Sequence, residues 1–275
     1  MRVVTANVNG IRASARRGGL DWLRAQRADV ITLQEVRADD DGLRKTLADA
    51  GFGDWHLAHS PSSARRGHSG VAVLSRAAMT EIRFLPDADF AAQGRYVEAD
   101  LATASGPLTV ASAYVHTGEA DTVRQDEKYA FLVALERRLE EWTRDRRLAA
   151  LTGDLNIARS EDDLKNWKGN LGKAGFLDDE RALLDRWCSG PLVDVHRTLA
   201  GPGPGPYTWW SWRGRAFDND TGWRIDYQLA TPPLAALARE AVVGRAATYA
   251  ERWSDHAPVV VDYDIDGVSA TGVRP

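Results

Sequence analysis

Four apolar stretches of this chain end in short polar side chains, and they are spread over almost all of its 275 residues. Arg2-Val3-Val4-Thr5-Ala6-Asn7-Val8-Asn9 alternates and finishes on two amides. Val30-Ile31-Thr32-Leu33-Gln34-Glu35 is an apolar run finishing on Gln and Glu. Thr152-Gly153-Asp154-Leu155-Asn156-Ile157 closes another such run, and Ser254-Asp255-His256-Ala257-Pro258-Val259 opens a β-branched one. A strand end is rigid and faces solvent, so carboxylates, amides and an imidazole placed there can converge on a metal ion or a phosphate instead of packing. If groups as distant as positions 7 and 256 form one site, everything between them must fold as one unit. No linker and no repeat of fixed period interrupts the sequence. The expectation is one domain over residues 1–265, with a frayed tail over 266–275.

Between the polar ends, short helices and strands alternate. Residues 19–27 place Leu20 and Leu23 on one helical side before a strand over 29–35; 41–49 reads as a second short helix and 70–75 as a buried strand. Runs over 96–101 and 108–114, separated by Ser105-Gly106-Pro107, predict an antiparallel hairpin. Phe131, Leu132, Leu135, Leu139 and Trp142 recur at helical spacing within 121–146, so this helix covers a face of a sheet. A strand over 147–151 leads into Asp154. The polar, glycine-dotted stretch over 160–175 reads as a long loop, a kind of segment that is often functional. A helix over 177–187 follows. Gly201-Pro202-Gly203-Pro204-Gly205-Pro206 can be neither helix nor central strand, and two late strands fall at 225–230 and 258–263. The architecture expected is α/β: two packed, mainly antiparallel mixed sheets flanked by helices.

With 44% hydrophobic residues the chain can build a sizeable core. Its single cysteine, Cys188, allows no internal disulfide and no thiolate-built zinc site, which fits a reducing compartment, with the cytoplasm as the expected address. No basic start followed by an apolar stretch is present, and no run approaches the roughly 20 apolar residues of a membrane span, so neither export nor membrane insertion is expected. A net charge of -4 argues against coating nucleic acid by bulk charge but leaves room for a local basic face. Cations do cluster beside the polar strand ends: Arg12, Arg16 and Arg17; Arg65 and Arg66; Lys165, Lys168 and Lys173; Arg213 and Arg215.

The oxygen-rich positions are Asn7, Asn9, Glu35, Asp154, Asn156, Asp226 and Asp255, with His256 beside the last. Hard oxygen donors with few thiols or imidazoles select Mg²⁺ or Mn²⁺ over Zn²⁺. Mg²⁺ keeps waters and takes one or two carboxylates plus substrate phosphate, so a sparse carboxylate set suits phosphodiester chemistry. Asp154 could accept the proton of a water, Asn156 could orient that water, and His256 could hold a non-bridging oxygen. Adjacent strand residues point to opposite faces, so an orienting carboxylate for His256 is expected from another strand, Asp226 before Asp255. Taken singly, Asp-x-Asn reads as a turn or cap, Ser-Asp-His as a capped loop and Glu35 as a strand terminus. Their coincidence in one chain outweighs those plainer readings. His116 and His196 read as packing or loop histidines. In Tyr207-Thr208-Trp209-Trp210-Ser211-Trp212-Arg213 and Gly222-Trp223-Arg224, Trp210 is assigned to the core. Trp209, Trp212 and Trp223 are candidates to line a pocket or lie against a sugar or base.

At these residues the sequence resembles the exonuclease III family of apurinic/apyrimidinic endonucleases, within the DNase I-like endonuclease/exonuclease/phosphatase superfamily, from residue 1 to about 263. The ordered series is Asn7-Val8-Asn9-Gly10-Ile11-Arg12-Ala13, Leu33-Gln34-Glu35, Gly70-Val71-Ala72-Val73-Leu74-Ser75-Arg76, Gly153-Asp154-Leu155-Asn156-Ile157, Trp223-Arg224-Ile225-Asp226-Tyr227 and Ser254-Asp255-His256-Ala257-Pro258. Asn166-Trp167-Lys168-Gly169-Asn170, Gly175-Phe176-Leu177-Asp178-Asp179-Glu180-Arg181 and the segment from Tyr207 to Arg213 resemble bacterial exonuclease III elements near DNA.

The resemblance implies a four-layer α/β sandwich and a Mg²⁺-dependent enzyme in which Mn²⁺ can substitute. It makes Glu35 the principal metal ligand with Asn7 nearby and Asp255 as a further ligand; Asp154 and Asn156 join them if a second metal position is used. It gives Tyr114, Asp154, Asn156, Asp226 and His256 catalytic roles, and DNA contacts to Arg12, Arg65, Lys168, Trp209, Trp212, Arg213 and Trp223. Trp209 and Trp223 would border a pocket for a flipped-out abasic sugar, which is small and cheap to extrude. The implied activity is incision 5′ to abasic sites and removal of 3′ blocking groups, with 3′ to 5′ exonuclease action, by a monomer on double-stranded DNA. One departure stands out: His116-Thr117 occupies the place where many relatives carry Pro-Asn, which bears on backbone contact more than on the chemistry. Two rival readings are an inositol or lipid phosphatase of the same superfamily, and a catalytically silent DNA-binding module. The second predicts loss of Glu35, Asp154, Asn156, Asp226 or His256, and all are present.

Overall fold

The computed structural model describes residues 1–65 and 67–265, so Arg66 and the expected tail over 266–275 lie outside the described residues. In chain order it contains β1 (Arg2–Asn7), α1 (Ile11–Arg16), α2 (Gly19–Ala25), β2 (Val30–Gln34), α3 (Asp40–Asp49), β3 (His56–Ser60), β4 (Val71–Ser75), β5 (Met79–Arg83), α4 (Ala88–Gln93), β6 (Tyr96–Thr103), β7 (Gly106–Tyr114), α5 (Val123–Arg144) and β8 (Leu148–Asp154). There follow α6 (Asp178–Cys188), β9 (Val193–Asp194), α7 (Val195–Ala200), β10 (Asp226–Ala230), α8 (Pro232–Ala235), β11 (Ala238–Val243) and β12 (Val259–Tyr263). The strands form two sheets, ordered β11-β12-β1-β2-β4-β3 and β5-β6-β7-β8-β10-β9. All pairings are antiparallel except β1 with β2 and β7 with β8. The hairpin turn is Ala104-Ser105, one residue earlier than expected, because Gly106 and Pro107 already pair with β6.

The two-residue period of the strands sets the layers. Val3, Val30, Val73, Val259 and Val261 of the first sheet meet Val97, Ala99, Leu101, Leu108, Val110 and Ala150 of the second in one cluster. Their sequence neighbours Val4, Ile31, Ala72, Leu74 and Val260 face the other way, onto Leu20, Leu23, Leu43 and Leu47 of α2 and α3. On the far side Ala111, Ala113, Ala149, Leu151 and Leu229 pack on Phe131, Leu132, Leu135, Leu139 and Trp142 of α5 and on Leu183, Leu184 and Trp187 of α6. Helices, sheet, sheet and helices make a four-layer α/β sandwich. Each fully buried Leu or Phe contributes about 1.5–3 kcal/mol, so these faces rather than helix propensity hold the layers together.

The middle layer is polar at one end. Thr32 Oγ1 lies 2.6 Å from Thr152 Oγ1, and Gln34 Nε2 donates to Ser112 Oγ at 2.9 Å and to Thr5 Oγ1 at 3.1 Å. Hydrogen bonds without access to water hold the sheets in register where the polar strand ends emerge. Parallel pairing brings Asn7 level with Gln34, and Tyr114 level with Asp154. β10 runs against β8 and enters at Asp226, opposite Asp154; β12 runs against β1, so Asp255 and His256 arrive at the same end. Topology thus gathers the residues that the sequence scatters.

Ahead of β10, Arg224 ties the long loop to the body. Its Nε donates to Asp163 Oδ1 at 2.6 Å and its Nη2 to Asp194 Oδ2 at 2.8 Å, while Arg197 Nη2 reaches the same Asp163 oxygen at 2.5 Å. His196 stands beside this network, buried, with neither ring nitrogen hydrogen-bonded. Burial, helped by the Arg224 charge, lowers its pKa from 6.5 to about 4. The fold therefore favours the neutral ring. The stability this contributes is complete above the unfolded value of 6.5 and is lost as pH falls towards 4, at about 1.4 kcal/mol per pH unit. Urea unfolding at pH 7 and pH 5 should show wild type losing about 2 kcal/mol more than His196→Leu. Equal losses would mean that the fold accommodates the imidazolium without penalty.

Candidate active site

Just past three strand ends the backbone turns left-handed, with φ of 45° at Asn9, 51° at Glu35 and 51° at Asn156. Asparagine takes this conformation readily; glutamate does not, so the turn at Glu35 must be held by its surroundings. Gly153 is needed for a different reason. Its φ is 130°, and a Cβ there would lie 2.1 Å from the Ala113 carbonyl oxygen, so only glycine lets β8 pass β7 this closely before Asp154.

Asn7 Nδ2 donates to Glu35 Oε1 and to Asp154 Oδ2, both at 2.9 Å, and its Oδ1 accepts the Asn9 N–H at 3.0 Å. The Asn7 amide thus bridges two carboxylates through its nitrogen, with its oxygen turned to the backbone. Arg37 pairs with the other Glu35 oxygen. Asp154 Oδ1 accepts the Asn156 N–H at 2.9 Å, and Asn156 Nδ2 donates to the Val115 carbonyl at 2.9 Å. His256 Nδ1 lies 2.9 Å from Asp226 Oδ2, and its Nε2 lies 3.7 Å from Asp154 Oδ2. Asp255 turns away from the ring; its oxygens accept Asn9 Nδ2 at 2.7 Å and Trp209 Nε1 at 3.2 Å. Trp209 and Trp223 meet edge to face with centroids 6.4 Å apart, and wall a cleft of about 300 Å³ onto which Tyr114, Thr117 and Asp154 also open.

The charges in this cleft are unevenly compensated. Burial pushes the Asp154 carboxyl up to about 8, with Asp226 and Glu35 adding to the effect against the opposing charge of His256. Burial would lower His256, but the Asp226 and Asp154 carboxylates outweigh it and raise the ring to about 10. The Asp226 and Asp154 carboxylates thus favour the charged ring, which donates from its nitrogens. Burial and the nearby Glu35 and Asp154 carboxylates hold the Tyr114 phenol protonated, well above its ordinary range. Burial also pushes Asp255 up, but the His256 charge and the bonds from Asn9 and Trp209 prevail and hold it low.

Among the described residues, ligand atoms of Glu35, Asp154 and His256 lie within 4.8 Å of one another, and Asp255 is not in that group. Glu35 and Asp154 are bridged by the Asn7 amide, with Arg37 on the outer Glu35 oxygen and His256 beside Asp154. The donors are hard oxygens in an incomplete cage, which fits a divalent ion that keeps water and substrate oxygens. Residues 4–256 match the Endonuclease/Exonuclease/phosphatase family, and exodeoxyribonuclease III of Haemophilus influenzae is 30% identical over 96% of this chain and 100% of its own. The chain belongs to the exonuclease III family of AP endonucleases. A solved AP endonuclease from Archaeoglobus fulgidus superposes on this exonuclease III-type fold with a TM-score of 0.84 at 26% identity, covering 96% of this chain and 99% of that one. A 3′-5′ exonuclease from Neisseria meningitidis does so with a TM-score of 0.82 at 29% identity, over 96% and 100%.

The remaining expected contacts of this exonuclease III-family chain do not line the cleft. Arg12, Arg65, Lys168 and Arg213 are exposed on loops or on the short α1. Trp210 is buried in the core, as assigned. Trp212 does not line the cleft with Trp209 and Trp223; it stacks between Arg252, 4.1 Å from its centroid, and Arg17, at 5.4 Å, in a neighbouring depression beside Asn9. His116 is buried with Nε2 2.7 Å from Gln93 Oε1, consistent with a packing role. Sequence reasoning missed Arg37 on Glu35 and Arg95, whose guanidinium stacks 4.8 Å from the Tyr114 ring centroid. It also missed Lys128. Arg37, two residues after Glu35, could have been found from proximity alone. Nothing in the sequence marks the other two. Among the described residues, no helix is long and apolar enough to cross a membrane.

Proposed function

We propose that the protein is a Mg²⁺-dependent DNA repair phosphodiesterase that incises duplex DNA 5′ to abasic sites, removes 3′ blocking groups and degrades duplex from 3′ ends. The reading takes residues 1–265 as one domain, acting as a monomer in the cytoplasm. What carries it is the alignment of Asp226, His256 and Asp154 beside Glu35, in a cleft walled by Trp209 and Trp223. In this reading Asp154, whose raised pKa suits a base near neutrality, takes the proton of the attacking water. Asn156 orients that water. His256, steadied by Asp226, donates from Nε2 to a non-bridging phosphate oxygen, and the protonated Tyr114 phenol donates to another. Water adds to phosphorus as its proton passes to Asp154, the P–O3′ bond breaks, and the freed 3′ oxygen takes a proton from solvent. Glu35, with Asn7 or Asp255 nearby, would hold Mg²⁺ or Mn²⁺, which would supply positive charge for phosphodiester cleavage. The tryptophan walls leave room for a sugar without its base, and Arg12, Arg65, Lys168, Trp212 and Arg213 hold the duplex.

A labelled duplex with one abasic analogue, incubated with Mg²⁺ or with EDTA, tests this. Incision on the 5′ side in Mg²⁺ alone is expected, with inositol polyphosphates untouched. Tight duplex binding without cleavage in Mg²⁺ or Mn²⁺ would sink the enzyme and favour a silent DNA-binding module.

A further inference from the structure

Lys128 lies on the apolar face of α5, one turn before Phe131 and Leu132, where its charge has no solvent. Its Nζ is 2.6 Å from Glu180 Oε1, and both side chains are 0% exposed. The same nitrogen donates to the Asn156 carbonyl at 2.9 Å and to the Thr117 carbonyl at 3.2 Å. Its three N–H groups thus have three acceptors, one carboxylate and two backbone carbonyls. Glu180 is itself fixed: Oε1 also accepts Gln125 Nε2 at 2.8 Å, and Oε2 accepts the Leu177 N–H at 3.0 Å where α6 begins. The Thr117 loop sits directly on this lysine. At Gly118, with φ of 75°, a Cβ would lie 2.3 Å from Gln125 Oε1 and 3.0 Å from Lys128 Cδ.

A buried ion pair is often no more stabilising than apolar side chains of the same size, so stability alone does not account for one here. What it does is geometric. Thr117 and Asn156 both line the cleft, from loops that follow β7 and β8, and Lys128 joins their carbonyls from beneath. We propose that Lys128, seated on Glu180, is a positioning residue for phosphodiester cleavage: it fixes the spacing of the two loops that flank the scissile phosphate. The proposal rests on the phosphodiesterase reading of the cleft. It also gives the His116-Thr117 departure a physical setting, because this loop is anchored through a backbone carbonyl whatever side chain it presents.

Three variants test the role in the full-length protein with Mg²⁺ and an abasic duplex. Lys128→Met leaves the Glu180 charge buried and unpaired, so both Tm and kcat should fall. Lys128→Met/Glu180→Gln removes both charges; the new amide keeps an acceptor for the Leu177 N–H, and its NH₂ can meet the unpartnered Gln125 Oε1 once that amide turns. Tm should return close to the wild-type value while kcat stays about 10–100-fold down with KM little changed, because loops displaced by a fraction of an ångström misalign the reacting groups. Gly118→Ala, which keeps both ion-pair residues but strains the loop at its φ of 75° and crowds Lys128 Cδ and Gln125 Oε1, should give the same kcat loss even if the double variant fails to fold. A double variant that recovers Tm and kcat together, or Gly118→Ala at wild-type kcat, overturns the positioning role. Wild-type protein that cleaves no abasic duplex overturns the reading of the cleft, and this role with it.

Discussion

Asp154→Asn should lower turnover of an abasic duplex by about 10²–10⁴-fold, the usual contribution of a positioned acid or base, while the protein stays folded. Asp154 is buried beside Asp226 and Glu35, and its pKa near 8 reports how poorly the cleft tolerates a further negative charge. An amide has almost the same shape. Its single oxygen can accept the Asn156 N–H or the Asn7 amide but not both, and it cannot take a proton from water. Relief of the buried charge opposes the lost bond from Asn7, so folding stability at neutral pH should fall by no more than about 1–3 kcal/mol, and duplex affinity in EDTA should hold or improve. Single-turnover cleavage at saturating Mg²⁺, with Tm and binding measured on the same preparations, separates these effects. Activity within tenfold of wild type would place the proton acceptor elsewhere in the cleft.

The largest expected loss of stability comes from Arg224→Met. Arg224 is fully buried between Asp163 and Asp194, and its guanidinium also lies 4.6 Å from the Tyr227 ring centroid. Removing it strands two carboxylates in the interior, one of which keeps Arg197. Breaking a buried pair in this way costs about 3–5 kcal/mol. For a protein of this size that is roughly 6–20 °C in Tm. Asp163 shows the dependence from the other side: burial pushes its carboxyl up, but Arg224 and Arg197 outweigh this and hold it at about 2. That stabilisation is present above the ordinary carboxylate range and disappears as pH falls through 2. Calorimetry of Arg224→Met and of Arg224→Met/Asp194→Asn checks the origin of the loss, since the second variant should recover part of it. A loss under 1 kcal/mol in the single variant would show that the carboxylates find water or other partners.

Much of this fold was legible because apolar periodicity is strongest where burial is deepest. The central strands β1, β2, β4, β6, β7, β8, β10 and β12 all announce themselves. The four that do not, β3, β5, β9 and β11, are the outer strands of the two sheets. β5 and β11 leave most of their residues exposed or half-buried, and β9 has only two residues, so there is little alternation to read. Edge strands escape pattern reading for a physical reason, since one side has no partner and part of each face meets water. The site divides in the same way. Asn7, Glu35, Asp154, Asn156, Asp226 and His256 are visible because they interrupt apolar runs at strand ends. Lys128 and Arg95 are not, because a charge on a helix or ahead of a strand looks like solvated surface until tertiary contacts show otherwise. Trp212 illustrates the converse: its cluster with Trp209 is one of sequence, whereas in space the two rings serve different depressions.

The polar groups of the cleft are divided between the sheets. Asn7, Glu35 and His256 belong to the sheet of β1, β2 and β12, whereas Tyr114, Asp154 and Asp226 belong to that of β7, β8 and β10. His256 precedes the last strand of the described chain, which pairs with the first. A growing chain therefore carries no complete set of these groups until β12 has docked. For an enzyme that cuts DNA this is a safeguard: an unfinished or truncated copy holds the separate parts of a nuclease and none of its danger.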